Sequence, residues 1–348
     1  MSNAVARSDV SDPLWLSEAD VVSLMDMTDA IGALEAGLRT EARGAAINMT
    51  KTHVEWPAGA GAQATLHAIG AAFPEAGVAG TKTWSHAPGG ASPLLILFDS
   101  GTGALRAIVE AFALGQMRTG AASGVATAAL SAAGADELAL VGTGRQALAQ
   151  VAAVAAVRQL HRVRVYGRDA ARRAQCAARI RDELGLDASE AADVADAVNG
   201  ALIITLVTRA REPFLTASMI THGAHINAVG AITPAGAEVA TDVLARCDHV
   251  TTDSVPQAQK LSSELIGYFG TIVDGWSRVQ PLATLVASGR GRAATDDLTL
   301  FKSLGTGIAD LALGIEVYRR AVNGGVGRPF LAPTRVAPRL RPANLRTT

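Results

Sequence analysis

The rhythm of apolar and polar residues changes near residue 137, and the two parts predict different architectures. Ser17-Glu18-Ala19-Asp20 is a capping-box pattern that opens a short helix. Thr28 reads as the cap of a second helix, because Ile31, Leu34 and Leu38 follow at helical spacing. From Thr50 to Asp99 the segments KTHVEW, ATLHAIGAAF, AGTKTW and LLILFD are strand-like. The Pro/Gly-rich stretch 87–93 reads as a loop, and FDSGTGALRAIV reads as a hairpin turning at 99–103. This first block is α+β in character.

Beyond residue 137, apolar runs alternate with helical patterns. Strands are predicted at 138–142, 162–166, 201–207, 224–229, 248–252 and 299–303, and helices at 145–160, 169–184 and 241–246. Such alternation predicts an α/β fold, a doubly wound parallel sheet of the Rossmann type. A last helix, 307–323, follows the final strand and is expected to return to the first block. No internal repeat is visible.

Composition narrows the class. At 348 residues, 49% hydrophobic and 18% charged, the chain suits two domains with large cores. A net charge of −1 argues against a nucleic-acid partner, which needs many basic phosphate contacts. Residues 1–12 read as a loose leader without the apolar run of a signal peptide, and the Ala-rich region 119–160 is interrupted by Gly, Ser, Asp136, Glu137 and Arg145. No membrane span is therefore expected. Cys176 and Cys247 have neither metal-ligand spacing nor a disulfide framework, so a reducing, cytoplasmic setting is expected.

The chemistry begins at LALVGTGRQA, 138–147. Gly142, Gly144 and Ala147 fit G-x-G-x-x-A between an apolar strand and a helix. The first glycine permits the turn, the second admits a pyrophosphate, and the small third residue lets helix pack on strand. Arg145 and Gln146 lie inside the same turn. The next strand ends at Tyr166-Gly167-Arg168-Asp169, where a dinucleotide's adenosine ribose would lie. Gly167 occupies the place where an NAD-type site has a carboxylate, and Arg168 can hold a 2′-phosphate. Arg172 and Arg173 follow one turn on. NADP(H) is therefore favoured over NAD(H); the alternative gives the ribose to Asp169.

Further segments carry a resemblance. Gly80-Thr81-Lys82-Thr83, Met117-Arg118-Thr119-Gly120-Ala121-Ala122-Ser123, Asn227-Ala228-Val229-Gly230-Ala231 and Phe301-Lys302-Ser303-Leu304-Gly305 join VGTGRQA in order and spacing. Together they closely resemble the ornithine cyclodeaminase/μ-crystallin family, from about Leu16 to Gly324. The resemblance implies a homodimer, with a substrate-binding/dimerisation domain from both chain ends (1–118 and 307–348) and a Rossmann domain (119–306). Family members use NAD(P)(H) at the amine or imine carbon of amino acids. By position, Lys51, Lys82 and Arg118 would hold the carboxylate of an amino, imino or keto acid, although Met49-Thr50 stand before Lys51 where relatives have Pro-Pro. Lys82 is the candidate proton donor, since burial can tune a lysine. His86 is a weaker relay candidate, and His53 and His67 read as structural. On the cofactor side the resemblance implicates Thr119, Val229, Ser303 and Gly305, with Arg118 at the domain junction. Thr208 and Arg209 end a strand at the rim where ligands collect. Asp310 could cap, pair locally or reach the pocket.

One departure sorts the activities. Cyclodeaminases carry an aspartate in a segment like GADAPGK, and here Ile232 stands in its place. Isoleucine can neither accept a proton nor pair with an ammonium. The leading expectation is NADPH-dependent reduction of the C=N bond of an α-imino acid or cyclic ketimine, including reductive amination of an α-keto acid. An alanine-dehydrogenase-like NAD enzyme comes second, a cyclodeaminase third. A non-catalytic NADPH-binding protein is the alternative from another class. No metal-spaced cluster and no G-x-S-x-G element occurs.

Overall fold

The computed structural model describes residues 12–59 and 61–340. The leader expected over 1–12 lies almost wholly outside the described residues. The first block contributes β1 (Leu14–Leu16), β2 (Ile47–Pro57), β3 (Gln63–Phe73), β4 (Val78–Ala87), β5 (Gly90–Ala91), β6 (Leu94–Asp99) and β7 (Leu105–Glu110). The second block contributes β8 (Glu137–Val141), β9 (Arg162–Tyr166), β10 (Ala188–Glu190), β11 (Ile203–Leu206), β12 (Ala224–Ala228), β13 (Cys247–Thr252), β14 (Val279–Pro281) and β15 (Leu298–Lys302). A last short strand, β16 (Arg328–Pro329), returns to the first sheet.

The first sheet runs β16-β1-β7-β6-β4-β3-β2. Ile69, Lys82 and Leu95 face one another across β3, β4 and β6, and His53, His67 and Trp84 do so across β2, β3 and β4. Because side chains alternate across a strand, these residues share one face. Below Lys82 that face is apolar: Ile69, Ala71, Phe73, Val78, Leu95 and Leu97 are buried. The helices Met27–Ala42, Phe112–Leu130 and Gly307–Gly324 contribute to the same core. Above Lys82 the face becomes polar and aromatic.

The capping box at Ser17 is present. The second helix, Met27–Ala42, is capped by Asp26 rather than Thr28: Asp26 accepts from Asp29 N, and Asp29 returns the bond to Asp26 N. That reciprocal pair satisfies two terminal donors, which a threonine two residues later cannot do. Ile31, Leu34 and Leu38 are buried as their spacing predicts. The 87–93 loop contains a two-residue strand, Gly90–Ala91, paired with β4.

The second sheet is parallel throughout, in the order β10-β9-β8-β11-β12-β15-β13-β14. Leu138, Leu140 and Ile203 enter one core, whereas Ala139, Val141 and Ile204 enter the other, so both faces are covered. The edge strands β10 and β14 are additional to the predicted set; each is three residues long, too short for a periodic signal. The helix predicted at 145–160 is shorter, Ala147–Ala155. Chain order leaves β8 in both directions, through β9 to β10 on one side and through β11 to β12 on the other. That reversal creates a crevice at the carboxyl ends of the strands, where ligands bind in such sheets.

The helix Gly307–Gly324 does return to the first sheet, and its start is placed with little tolerance. A Cβ on Gly307 would collide with the Gly70 carbonyl oxygen of β3. Asn48 Oδ1 accepts from Gly307 N at 2.9 Å. This close approach brings Asp310, in the first helical turn, onto Lys82.

Candidate active site

The glycine turn after β8 has the geometry of an anion cradle. Gly142 has φ +118°, and a Cβ there would lie 2.7 Å from the Val207 carbonyl oxygen. Gly144 would meet nothing within 4 Å, leaving open space in front of the turn. The helix Ala147–Ala155 begins with no side-chain cap; Ala147 N donates to the Gly144 carbonyl at 3.0 Å, and Gln146 Oε1 is buried without a partner. Open space beside an uncapped helix start fits a dinucleotide pyrophosphate. Arg145 lies over the Phe112 ring at 5.8 Å.

At the tip of β9, a Cβ on Gly167 would sit 2.8 Å from the Thr143 side chain of the glycine turn, so a larger residue there would require Thr143 to shift. Asp169 accepts from Arg172 N at 3.0 Å as the cap of the helix Ala170–Leu184. Arg173 is tied to Glu190 at 2.9 Å and to the Gly167 carbonyl at 3.0 Å. Arg168 is exposed and has no carboxylate partner among the described residues.

The predicted substrate cations meet at the boundary of the two sheets. Lys82 and Asp310 form a buried ion pair, and Arg118 Nε donates to the same Asp310 Oδ1 at 3.2 Å. The two Nη groups of Arg118 have no hydrogen-bond partner among the described residues. They lie against Gly305, where a Cβ would be 2.7 Å from Nη1. Glycine at 305, with φ +85°, therefore lets the guanidinium approach the end of β15. Lys51 and Lys82 place their ammonium groups 5.8 and 5.2 Å from the Trp84 ring centre. Trp84 stacks on His67, and His67 on His53, at 4.7 and 5.3 Å.

Electrostatics follow from this packing. Burial pushes the Lys82 ammonium down to about 8, with Asp310 opposing the shift and Arg118 adding to it. Burial, then Arg118, also lowers Lys51. His67 is held down to about 4 by burial and by Lys51, so it is neutral, and its Nε2 lies 2.8 Å from Thr65 Oγ1. His86 lies on the same face but is exposed.

The remaining predicted residues fall on the crevice rim. Thr208 follows β11, Val229 follows β12, and Ser303 and Gly305 follow β15. Arg209 is exposed. Thr119 is buried and donates its hydroxyl to Gly115 within its own helix. Ile232 lies in the loop after β12 and is 41% exposed. Four buried acids hold parts of this region: Asp310, Asp253, Glu238 and Glu264. Asp253 accepts from Leu304 N and Gly305 N at 2.9 and 2.7 Å. Sequence reasoning left Asp310 undecided and missed the other three. For Asp310 the available signal was a charged residue in an apolar run, GIADLALG; the other three sit in mixed segments that carry no such signal.

A sequence model of the "Ornithine cyclodeaminase/mu-crystallin family" matches residues 11–325. A Delta(1)-pyrroline-2-carboxylate reductase of Bacillus cereus is 32% identical over 236 residues, covering 67% of this chain and 72% of the relative. The structure of Thermococcus litoralis Delta(1)-pyrroline-2-carboxylate reductase with NADH and L-proline superposes with a TM-score of 0.84 at 28% identity, covering 91% of this chain and all (100%) of that one. An archaeal alanine dehydrogenase dimer with bound NAD gives 0.83 at 27% identity, over 92% and 99% of the two chains.

Proposed function

This chain belongs to the ornithine cyclodeaminase/μ-crystallin family, and from that premise we propose that it reduces the C=N bond of an α-imino acid or cyclic ketimine with a pyridine nucleotide. One observation carries the reading: Lys82 is buried against Asp310 while Arg118 Nη and Lys51 have no acidic partner beside it. Among the described residues, the open Arg118 Nη groups and the Lys51 ammonium suit the carboxylate of an imino acid, and bidentate pairing fixes its orientation. The Lys82 ammonium then protonates the imine nitrogen, and Asp310 keeps it charged until it does so. Gly142, Gly144 and Ala147 would hold the pyrophosphate of the nucleotide, with Thr208, Val229, Ser303 and Gly305 at its other end. When bound, the nucleotide supplies the hydride for the imine carbon.

Following reduced-cofactor absorbance with cyclic imines, and with α-keto acids with and without ammonia or methylamine, tests the reading. Oxidation of the cofactor is expected only where an imine can form, and Lys82→Met should lower turnover at least about a hundredfold with nucleotide binding retained. Tight nucleotide binding without turnover of any imine would instead mark a binding protein. The same residues serve oxidative deamination in reverse, the second reading. Cyclodeamination ranks third because Ile232 offers no base.

NADP(H) preference is part of the proposal and rests on Arg168, free at the β9 tip, with Gly167 in the acidic place. Arg168→Ala should weaken NADPH roughly tenfold or more and leave NADH nearly unchanged; an unaltered preference rejects the assignment. The division at 118/119 and 306/307, a homodimer and a cytoplasmic setting belong to the same reading. Val54, Trp56 and Leu66 share the β2–β3 face opposite His67 and are 60%, 41% and 46% exposed, which suits a subunit interface.

A further inference from the structure

Two buried carboxylates and one buried ammonium lie beneath the crevice rim and take no part in the chemistry above. Glu238 accepts four hydrogen bonds. Thr208 N and Oγ1 both donate to Oε1 at 2.7 Å, and Gly230 N and Ala231 N donate to Oε2 at 2.8 and 3.1 Å. One side chain thus clamps the loops after β11 and β12. Glu264 in turn accepts from Glu238 N at 2.6 Å and Val239 N at 3.0 Å. Its other oxygen lies 2.5 Å from Lys302 Nζ at the end of β15. All three side chains are buried, so the fold bears the cost of their desolvation.

Strand order says what the clamp serves. Arg168 marks the β9 tip as the adenosine side of β8, so the other half of a dinucleotide must extend over β11, β12 and β15. Those are the strands whose loops the network ties together, and Gly305 beyond β15 lies against Arg118. We infer that Glu238 is a positioning residue for the nicotinamide half of the cofactor, held in place by the Glu264–Lys302 pair. The inference rests on the pyridine-nucleotide reading. It goes further in assigning the two halves of the cofactor to independently held parts of the rim.

The test compares a whole cofactor with its adenosine half. Glu238→Gln keeps the shape but presents an amide N–H₂ to backbone donors. NADPH affinity, read by nicotinamide fluorescence, should fall roughly tenfold or more, whereas 2′-phospho-ADP-ribose affinity, read by calorimetry, should stay within about twofold. Glu238→Asp, which keeps the charge, should recover part of the loss. If Glu238→Gln does not fold, Glu264→Gln should give the same asymmetry at smaller size. Equal losses for both ligands, or no loss for either, overturn the inference. A wild-type protein that binds neither ligand instead removes the pyridine-nucleotide reading beneath it.

Discussion

As the proposed proton donor, Lys82 faces two demands that oppose each other. Burial favours the neutral amine, while a proton donor must be charged at working pH. Asp310 reconciles them by raising what burial lowers, which leaves Lys82 near neutrality at about 8. The sign is simple for a donor: the active form lies below that value. Reductive kcat/KM, measured with an imine that does not titrate in the same range, should be flat below pH 8 and fall about tenfold per unit above it. Asp310→Asn removes the opposing charge, so the break should move to lower pH. A break that stays in place would show that Asp310 does not set the Lys82 proton.

At the scale of elements, the glycine turn separates folding from binding within three residues. Gly142 is constrained by its φ of +118° and by Val207, so Gly142→Ala should cost about 1–3 kcal/mol of stability. A Cβ on Gly144 would meet nothing within 4 Å, so Gly144→Val should melt like the wild type yet lose dinucleotide binding. Melting curves and nucleotide titrations of the two variants decide this; a Gly144→Val protein that still binds would place the pyrophosphate elsewhere. The turn was legible in the sequence because its chemistry is local. The Asp26 cap was misplaced to Thr28 because both residue types suit a cap, and only the reciprocal Asp29 bond distinguishes them. The strands β10 and β14 left no signal, since they form by adding to sheet edges already present.

For the whole molecule, the question is how two sheets share one site. Asn227 on β12 donates to Thr127 on the helix Phe112–Leu130 at 2.9 Å, and Arg158 binds carbonyls at that helix's end. These bonds fix the helix carrying Arg118 to the second sheet, while Lys82 and Asp310 come from the first sheet and its covering helix. Association is expected at the same scale. If the β2–β3 face is the subunit interface, the double variant Val54→Asp/Leu66→Asp should sediment as a monomer where the parent sediments as a dimer. An unchanged mass would place the interface elsewhere.

The α/β class and the glycine turn were legible along the chain, because periodicity and turn chemistry act over a few residues, and the resemblance to the family named the candidate carboxylate-holding cations. The folded chain was needed to join Asp310 to Lys82 and Arg118, since those residues stand 228 and 192 positions apart. It alone revealed Glu238, Glu264 and Asp253 as the acids beneath the rim. A buried charge is stable only where its donors converge, and that convergence exists only once β11, β12 and β15 lie side by side.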